Sequence, residues 1–315
     1  MKHIFLGLLM AAGEPIAAQD DAVAIADDVP AIIEQFEIDR SDRMMVQVNG
    51  SEAVPFIVDT GAERTVIAND LARRLSLEPG PMLTLATISG REKVNSFFID
   101  KLTTAAVNLE GLEAPGLERS NLGAYGLLGI DSLEDTRVLL DFANQKMDVL
   151  PSRKTRSKTK LENGMIVVSA QKKAGRMIIS SARIDGISVD IILDTGAQSS
   201  MANMALRDKL RRRHRSIEYV PVAMRSVTGA IVNGEFTQLK EIEVGGLTIK
   251  DLPITFAENY AFTALQLQER PAILLGMDAL KLFDRVLIDF SNRRVGFDLP
   301  KGVERKSAAR MASAE

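Results

Sequence analysis

The chain has 315 residues, of which 46% are hydrophobic, and a formal net charge of −3. This length is enough for two domains with separate cores, and the small net charge argues against a global attraction to nucleic acid or to an anionic membrane. The sequence contains no cysteine, which excludes disulfides, thiolate zinc sites and a cysteine nucleophile.

Residues 1–18 have the pattern of a secretory signal peptide. Lys2 and His3 precede an apolar stretch at 4–12, and the small residues Ala17 and Ala18 mark a cleavage region. The apolar stretch is shorter than the roughly 20 residues that span a bilayer, so no stable membrane span is predicted. We therefore expect a periplasmic or secreted protein. The alternative is an N-terminus that tethers the chain to a membrane or has no fixed structure.

The remainder of the chain is predicted to contain two lobes rich in strands. Short apolar runs separated by turn residues predict strands in both lobes. Helical patterns are found at 69–77 and 203–213, each opening with an asparagine that can cap, and shorter ones at 132–135 and 279–283. The predicted fold class is therefore all-β with short helices. The predicted segments are a spacer (19–32), a first lobe (33–150), a basic linker (151–164), a second lobe (165–299) and a flexible tail (300–315).

The tetrapeptide Asp-Thr-Gly-Ala occurs twice, as Asp59-Thr60-Gly61-Ala62 and as Asp194-Thr195-Gly196-Ala197. An Asn-Gly or Asp-Gly turn precedes each copy, and a Leu-Leu-Gly motif ending at Gly129 or Gly276 follows it. Landmarks that recur in one order indicate a duplicated unit. An aspartate at the end of a buried strand is costly unless it has a function, so the two copies suggest one site built from two halves.

These motifs resemble those of the retropepsin-like aspartic proteases, in a single-chain form with two halves. The resemblance covers about 36–150 and 165–298, and it implies two homologous retropepsin-like β-barrel lobes in a pepsin-like bilobal arrangement. In that family the glycine of the Leu-Leu-Gly motif lies on a strand that crosses behind the catalytic loop. Bacterial relatives with this architecture are exported proteases that trim envelope proteins.

The paired aspartates have the chemistry that peptide hydrolysis needs. Two carboxylates that share one proton provide both an acid and a base, because like charges at short distance cannot both ionise. We therefore assign Asp59 and Asp194 a joint catalytic role, with neither metal nor cofactor. Gly61 and Gly196 would let backbone N–H groups approach the carboxylates.

The other loop residues support that role. The resemblance implies that Thr60 and Thr195 hydrogen-bond the opposite loop. Ala62 and Ala197 stand where pepsin-like enzymes often carry a hydroxyl, and without that donor the anion is less stabilised. We therefore expect an activity optimum in mildly acidic to near-neutral conditions.

Two further segments are candidate flaps, one downstream of each aspartate. Each has the composition of a hairpin tip that could hold an extended substrate by backbone hydrogen bonds and exclude water. An ordinary surface hairpin is the alternative for both. The candidate flap residues are Ile88, Ser89 and Gly90 in the first lobe and Val227, Thr228 and Gly229 in the second.

Other chemistries find little support in the sequence. His214 is the only histidine that remains after removal of a signal peptide, which argues against a histidine-dependent triad or a multi-histidine metal site. The basic run at 211–215 is typical of a solvated helix end, and no nucleic-acid partner is expected. The repeated aspartates outside the tetrapeptides are expected to be structural: Asp131, Asp141, Asp278 and Asp289.

The sequence therefore predicts an aspartic endopeptidase that hydrolyses an extended peptide segment of an envelope or periplasmic protein. Because one chain carries both aspartates, dimerisation should not be required for activity. Two alternatives stay open: a catalytically weak peptide-binding module of the same fold, and a protease that mainly processes its own N-terminus.

Overall fold

The computed structural model describes residues 3–5, 43–105, 107–152 and 164–300. Residues 3–5 are described by their backbone alone. Most of the predicted signal peptide, the predicted spacer, most of the predicted linker and nearly all of the predicted tail lie outside the described residues. Within those ranges, no helix is long and apolar enough to cross a membrane.

The first lobe consists of strands and three short helices in the described ranges. Its elements are β1 (His3–Phe5), β2 (Arg43–Val48), β3 (Val54–Val58), β4 (Val66–Ala68), α1 (Asn69–Arg74), β5 (Pro79–Thr87), β6 (Gly90–Thr103), β7 (Asn108–Leu117), α2 (Arg119–Leu122), β8 (Gly126–Leu128), α3 (Ile130–Leu133), β9 (Thr136–Asp141) and β10 (Lys146–Pro151).

The second lobe repeats the order from β2 to β10 and adds two strands, β11 and β12, at its start. Its elements are β11 (Ile166–Ser169), β12 (Gln171–Lys173), β13 (Arg176–Ile184), β14 (Ile187–Leu193), β15 (Met201–Ala202), α4 (Met204–Arg213), β16 (Val220–Arg225), β17 (Ile231–Val244), β18 (Leu247–Phe256), α5 (Tyr260–Ala264), β19 (Ala272–Leu275), α6 (Met277–Leu280), β20 (Arg285–Asp289) and β21 (Arg294–Asp298).

The two lobes have the same strand pairing around their Asp-Thr-Gly-Ala loops. In the first lobe, β3 runs parallel to β8, β8 pairs antiparallel with β4, and β4 runs parallel to β7. In the second lobe, β14, β19, β15 and β18 make the same three pairings. The predicted fold class, all-β with short helices in two homologous lobes, is thus confirmed.

A third sheet joins the lobes. Its strand order is β10-β9-β20-β21-β11, so strands from both lobes lie in one sheet. Within this sheet the lobes meet in the antiparallel pairing of β9 with β20, in which Leu140 lies opposite Val286 and Val138 opposite Ile288. All four side chains are buried in one apolar cluster that extends into both lobes. This shared core fixes the two loops relative to each other.

The helices begin and end slightly differently from the prediction. The predicted cap at Asn203 accepts a hydrogen bond from Leu206 N at 3.0 Å, at the start of α4. The predicted cap at Asn69 is wrong, because Asn69 is already helical and Ala68 occupies the cap position. The side chain of Asn69 instead donates to Glu118 Oε1 at 2.7 Å, a tertiary contact that the local sequence pattern does not predict.

Candidate active site

Asp59 and Asp194 each follow the last residue of a buried strand. Asp59 comes directly after β3 and is 0% exposed, and Asp194 comes directly after β14 and is 1% exposed. The backbone N–H of Asp59 donates to the Leu128 carbonyl at 2.9 Å, and that of Asp194 donates to the Leu275 carbonyl at 3.1 Å. The strands that carry the Leu-Leu-Gly motifs therefore position both aspartates.

Each carboxylate is held by the backbone of its own loop. Oδ1 of Asp59 accepts hydrogen bonds from Gly61 N at 2.8 Å and from Ala62 N at 2.9 Å. The second loop repeats both bonds to Asp194 Oδ1, from Gly196 N at 3.1 Å and from Ala197 N at 3.1 Å.

The two loops meet closely at their glycines. A Cβ at Gly61 would lie 2.4 Å from Cγ of Asp194, and a Cβ at Gly196 would lie 2.3 Å from Cγ of Asp59. Each carboxylate therefore rests against the glycine of the opposite loop, where any other residue would collide with it. This contact brings the two predicted catalytic residues together in one site.

The environment of Asp59 favours its protonated form. Burial, followed by the charge of Asp194, raises the pKa of Asp59 well above its ordinary value. The hydrogen bonds from Gly61 N and Ala62 N lower the pKa, but they do not cancel the other effects. Two buried carboxyl groups in this arrangement share protons, so their titration belongs to the pair.

The two threonines exchange hydrogen bonds between the loops. Thr60 Oγ1 donates to the Leu193 carbonyl at 3.0 Å and accepts from Thr195 N at 3.1 Å. In the reverse direction, Thr195 Oγ1 donates to the Val58 carbonyl at 2.6 Å and accepts from Thr60 N at 3.1 Å. These reciprocal buried bonds hold the loops in register, as the family resemblance implied.

The Leu-Leu-Gly motifs pack behind the loops. A Cβ at Gly129 would lie 2.4 Å from the carbonyl carbon of Arg64, and a Cβ at Gly276 would lie 2.8 Å from that of Ser199. At both positions a side chain would collide with the backbone that follows the tetrapeptide. The two glycines therefore allow each Leu-Leu-Gly strand to pack closely against the backbone that follows the Asp-Thr-Gly-Ala loop.

Two family models match the chain, one in each lobe. Residues 44–135 match the family described as "gag-polyprotein putative aspartyl protease", and residues 180–279 match the family described as "Aspartyl protease". Each matched range contains one Asp-Thr-Gly-Ala loop and the Leu-Leu-Gly motif behind it. Both lobes therefore belong to aspartyl protease families.

Among solved structures, this aspartic protease chain is similar to a retropepsin-like aspartic protease from Rickettsia conorii. The identity is 18%, the alignment covers 43% of this chain and 90% of that chain, and the TM-score is 0.30. No curated protein matches the chain by sequence.

The structure brings the tips of the two candidate flaps into contact. The first tip joins β5 to β6 and the second joins β16 to β17. Ser89 Oγ in the first tip lies 3.1 Å from Ser226 Oγ in the second. Ile88 is buried in an apolar cluster that otherwise consists mainly of second-lobe side chains. In this structure the two flap tips are therefore held against each other, and Ile88 of the first tip packs on the second lobe.

A glutamate that the sequence reasoning missed lies beneath this contact. Glu92 Oε1 accepts hydrogen bonds from Ser89 Oγ at 3.0 Å and from Thr228 Oγ1 at 2.7 Å, and so connects the flaps of both lobes. Its neighbour Arg91 donates from Nε to the hydroxyl of Tyr260 in the second lobe at 2.8 Å. The sequence could not show the contacts of Glu92 with Thr228 and of Arg91 with Tyr260, because these partners are far apart along the chain.

Asp131 and Asp278 occupy equivalent structural positions, as predicted for both. Asp131 accepts from Thr65 N at 2.9 Å and from Thr65 Oγ1 at 2.8 Å, while Asp278 accepts from Ser200 N at 2.9 Å and from Ser200 Oγ at 2.6 Å. Burial raises the pKa of Asp131, whereas the bonds from Thr65 lower it. These carboxylates fix the chain just after each Asp-Thr-Gly-Ala loop.

The remaining candidates lie in turns. Asp141 accepts from Asn144 N at 3.0 Å, and Asp289 accepts from Asn292 N at 3.1 Å. Both therefore stabilise hairpin turns of the third sheet, which joins the lobes. His214 follows the last residue of α4 and lies 3.0 Å from Asp185 Oδ2. Among the described residues, no group of three or more His, Asp or Glu side chains could hold a metal ion.

Proposed function

We propose that the protein is an aspartic endopeptidase in which Asp59 and Asp194 jointly activate a water molecule. The observation that carries this proposal is the placement of two buried aspartates on opposed loops, each against the glycine of the other loop. Because burial and mutual repulsion favour the protonated form, one proton stays on the pair at a pH at which two exposed carboxylates would both be ionised.

The chemistry follows from a singly protonated pair. The ionised carboxylate accepts a proton from water, while the protonated carboxyl donates a hydrogen bond to the oxygen of the scissile carbonyl. The water oxygen bonds to the carbonyl carbon, the carbonyl oxygen takes up the proton that the second carboxyl held, and a neutral diol forms. The pair then returns one proton to the amide nitrogen and accepts one from the diol as the C–N bond breaks. No covalent intermediate forms, and the starting protonation is restored.

The proposed substrate is an extended segment of an envelope or periplasmic protein. Both candidate flaps are β-hairpins whose tips contact each other, and flaps of this kind can hold an extended chain by backbone hydrogen bonds. The proposed location depends on the secretory pattern in residues 1–18. Mass spectrometry of the mature N-terminus would separate cleavage by a signal peptidase from self-processing, because only self-processing should stop in an inactive variant.

The test is hydrolysis of a peptide library by Asp59→Asn and Asp194→Asn. Each variant keeps the shape and the backbone hydrogen bonds of the carboxylate but cannot exchange a proton, so we expect each to lose at least about a thousandfold in kcat. Wild type should be most active in mildly acidic to near-neutral conditions, because Ala62 and Ala197 supply no hydroxyl to stabilise the anion.

Asp251→Asn is the matched control. Asp251 is an exposed aspartate with φ of 52°, a conformation in which asparagine is equally tolerated. This variant should keep wild-type turnover. Normal turnover in either loop variant would contradict the assignment of the pair, and peptide binding without hydrolysis by wild type would favour a binding module instead.

A further inference from the structure

Arg176 has the largest fully buried side chain in the described part of the chain. It is 1% exposed and stands at the first position of β13, in the second lobe. Burial of a guanidinium is unfavourable unless its charge and its N–H groups find partners. No local sequence pattern marks Arg176 as a buried residue, so its position calls for a physical reason.

A tight turn directs Arg176 toward the first lobe. Ala174 and Gly175 form the turn between β12 and β13, with φ of 46° and 79°. A Cβ at Gly175 would lie 2.8 Å from Cγ2 of Ile130 in α3. The turn therefore packs directly on the first lobe, next to the loop that carries Asp59.

The side chain then contacts the backbone of that loop. Nε of Arg176 donates to the Gly61 carbonyl at 2.8 Å. The same peptide group carries the N–H of Ala62, which donates to Asp59 Oδ1 at 2.9 Å. The guanidinium, the peptide group and the carboxylate thus form a chain of hydrogen bonds, in which each bond polarises and strengthens the next.

The charges around Arg176 agree with this geometry. Burial lowers the pKa of Arg176 to about 10, while Glu63, Asp194 and Asp59 act in the opposite direction. The guanidinium therefore stays cationic at neutral pH, and the charges of both aspartates act on it. A cation in this position favours the ionised form of a carboxylate.

We propose that Arg176 is a positioning residue for the aspartate pair. From the opposite lobe it holds the Gly61–Ala62 peptide group, and so it orients Asp59 and stabilises the pair in its singly ionised state. The catalytic consequence rests on the function proposed above. The hydrogen-bond chain itself can be tested without turnover.

The test compares Arg176→Met and Arg176→Lys, with Arg183→Met as control. Arg183 lies on the same strand but is exposed. Loss of a charge-assisted hydrogen bond should lower kcat of Arg176→Met about tenfold to a hundredfold with little change in KM. The acidic limb of its kcat/KM profile should move to higher pH. Arg176→Lys keeps the charge but not the Nε donor, so kcat should fall while the acidic limb stays close to that of wild type.

The second measurement is an NMR titration of ¹³C-labelled aspartate carboxyls without substrate. A shift of the pair's titration to higher pH in Arg176→Met supports the inference even if wild type hydrolyses no peptide. An active wild type together with an unshifted Arg176→Met titration and acidic limb would overturn the inference and leave the proposed function intact. If Arg176→Met does not fold, Arg176→Lys decides: a reduced kcat supports the inference, and a wild-type kcat overturns it.

Discussion

At the scale of single residues, the aspartate pair is arranged for chemistry at the expense of stability. Oδ1 of Asp59 accepts two backbone hydrogen bonds, and the whole carboxyl group is buried beside the loop of Asp194. Burial and the charge of Asp194 raise the pKa of Asp59. Folding therefore favours the protonated carboxyl and disfavours the anion that the proposed mechanism requires.

This conflict predicts that removal of the charge stabilises the fold. Because the pKa of Asp59 is raised, its contribution to stability is complete below the ordinary value of 3.8 and is lost as the pH rises through the folded-state pKa. Asparagine does not ionise and still accepts the two backbone bonds. Asp59→Asn should therefore have a Tm a few degrees above that of wild type at neutral pH, and the difference should shrink in acid.

Scanning calorimetry between about pH 3 and about pH 8 checks this expectation. Asp251→Asn, which removes an exposed carboxylate, should leave the Tm close to that of wild type at every pH. An Asp59→Asn protein that is less stable than wild type at neutral pH would show that the carboxylate is held more favourably than its surroundings indicate.

Single residues also show what the sequence can and cannot reveal. The aspartates, threonines and glycines of the tetrapeptides lie in consecutive positions, so their pattern is visible in one dimension. Arg176 donates to the carbonyl of Gly61, which is 115 positions away along the chain, and no local pattern distinguishes it from other arginines at strand ends. Its burial becomes apparent only when both lobes are assembled.

At the scale of elements, the two flaps are joined by polar contacts. Glu92 accepts hydrogen bonds from Ser89 on its own hairpin and from Thr228 on the opposite one. Ser226 Oγ also donates to Thr87 Oγ1 at 3.3 Å. These bonds join the tip of each hairpin to the other lobe, so the two tips can separate only after the bonds break.

We therefore expect Glu92→Ala to loosen the flaps. Loss of the shared acceptor should increase amide hydrogen exchange in residues 87–90 and 226–229 by about tenfold, with little effect on β3 and β14. Glu92→Gln retains the acceptor oxygen and should stay close to wild type. Unchanged exchange at both tips in Glu92→Ala would mean that apolar packing of Ile88 and Val227 alone keeps the flaps closed.

The sequence predicts those strands and helices whose patterns are contained in a short stretch of neighbouring residues. The strands before each aspartate and the helix that begins at Met204 follow from apolar runs, turn residues and a capping asparagine. Asn69 has the same sequence signal, but its side chain bonds Glu118 and the helix begins one residue earlier than a cap would allow. A tertiary contact thus overrode a local preference.

At the scale of the whole molecule, the two lobes share one sheet, one large apolar cluster and one pair of carboxylates. The duplicated order of landmarks predicted two homologous lobes. The sequence did not specify how strongly they are joined, because the pairing of β9 with β20 depends on strands far apart along the chain. This joint allows a single chain to hold Asp59 and Asp194 in contact.

The most direct test of the central claim is peptide hydrolysis by Asp59→Asn and Asp194→Asn, first separately and then mixed in equal amounts. If the pair forms within one chain, each variant is inactive, the mixture is also inactive, and the specific activity of wild type is independent of dilution. Restored activity in the mixture would show that the two aspartates come from different chains. Substantial turnover by either variant alone would show that hydrolysis does not require the pair.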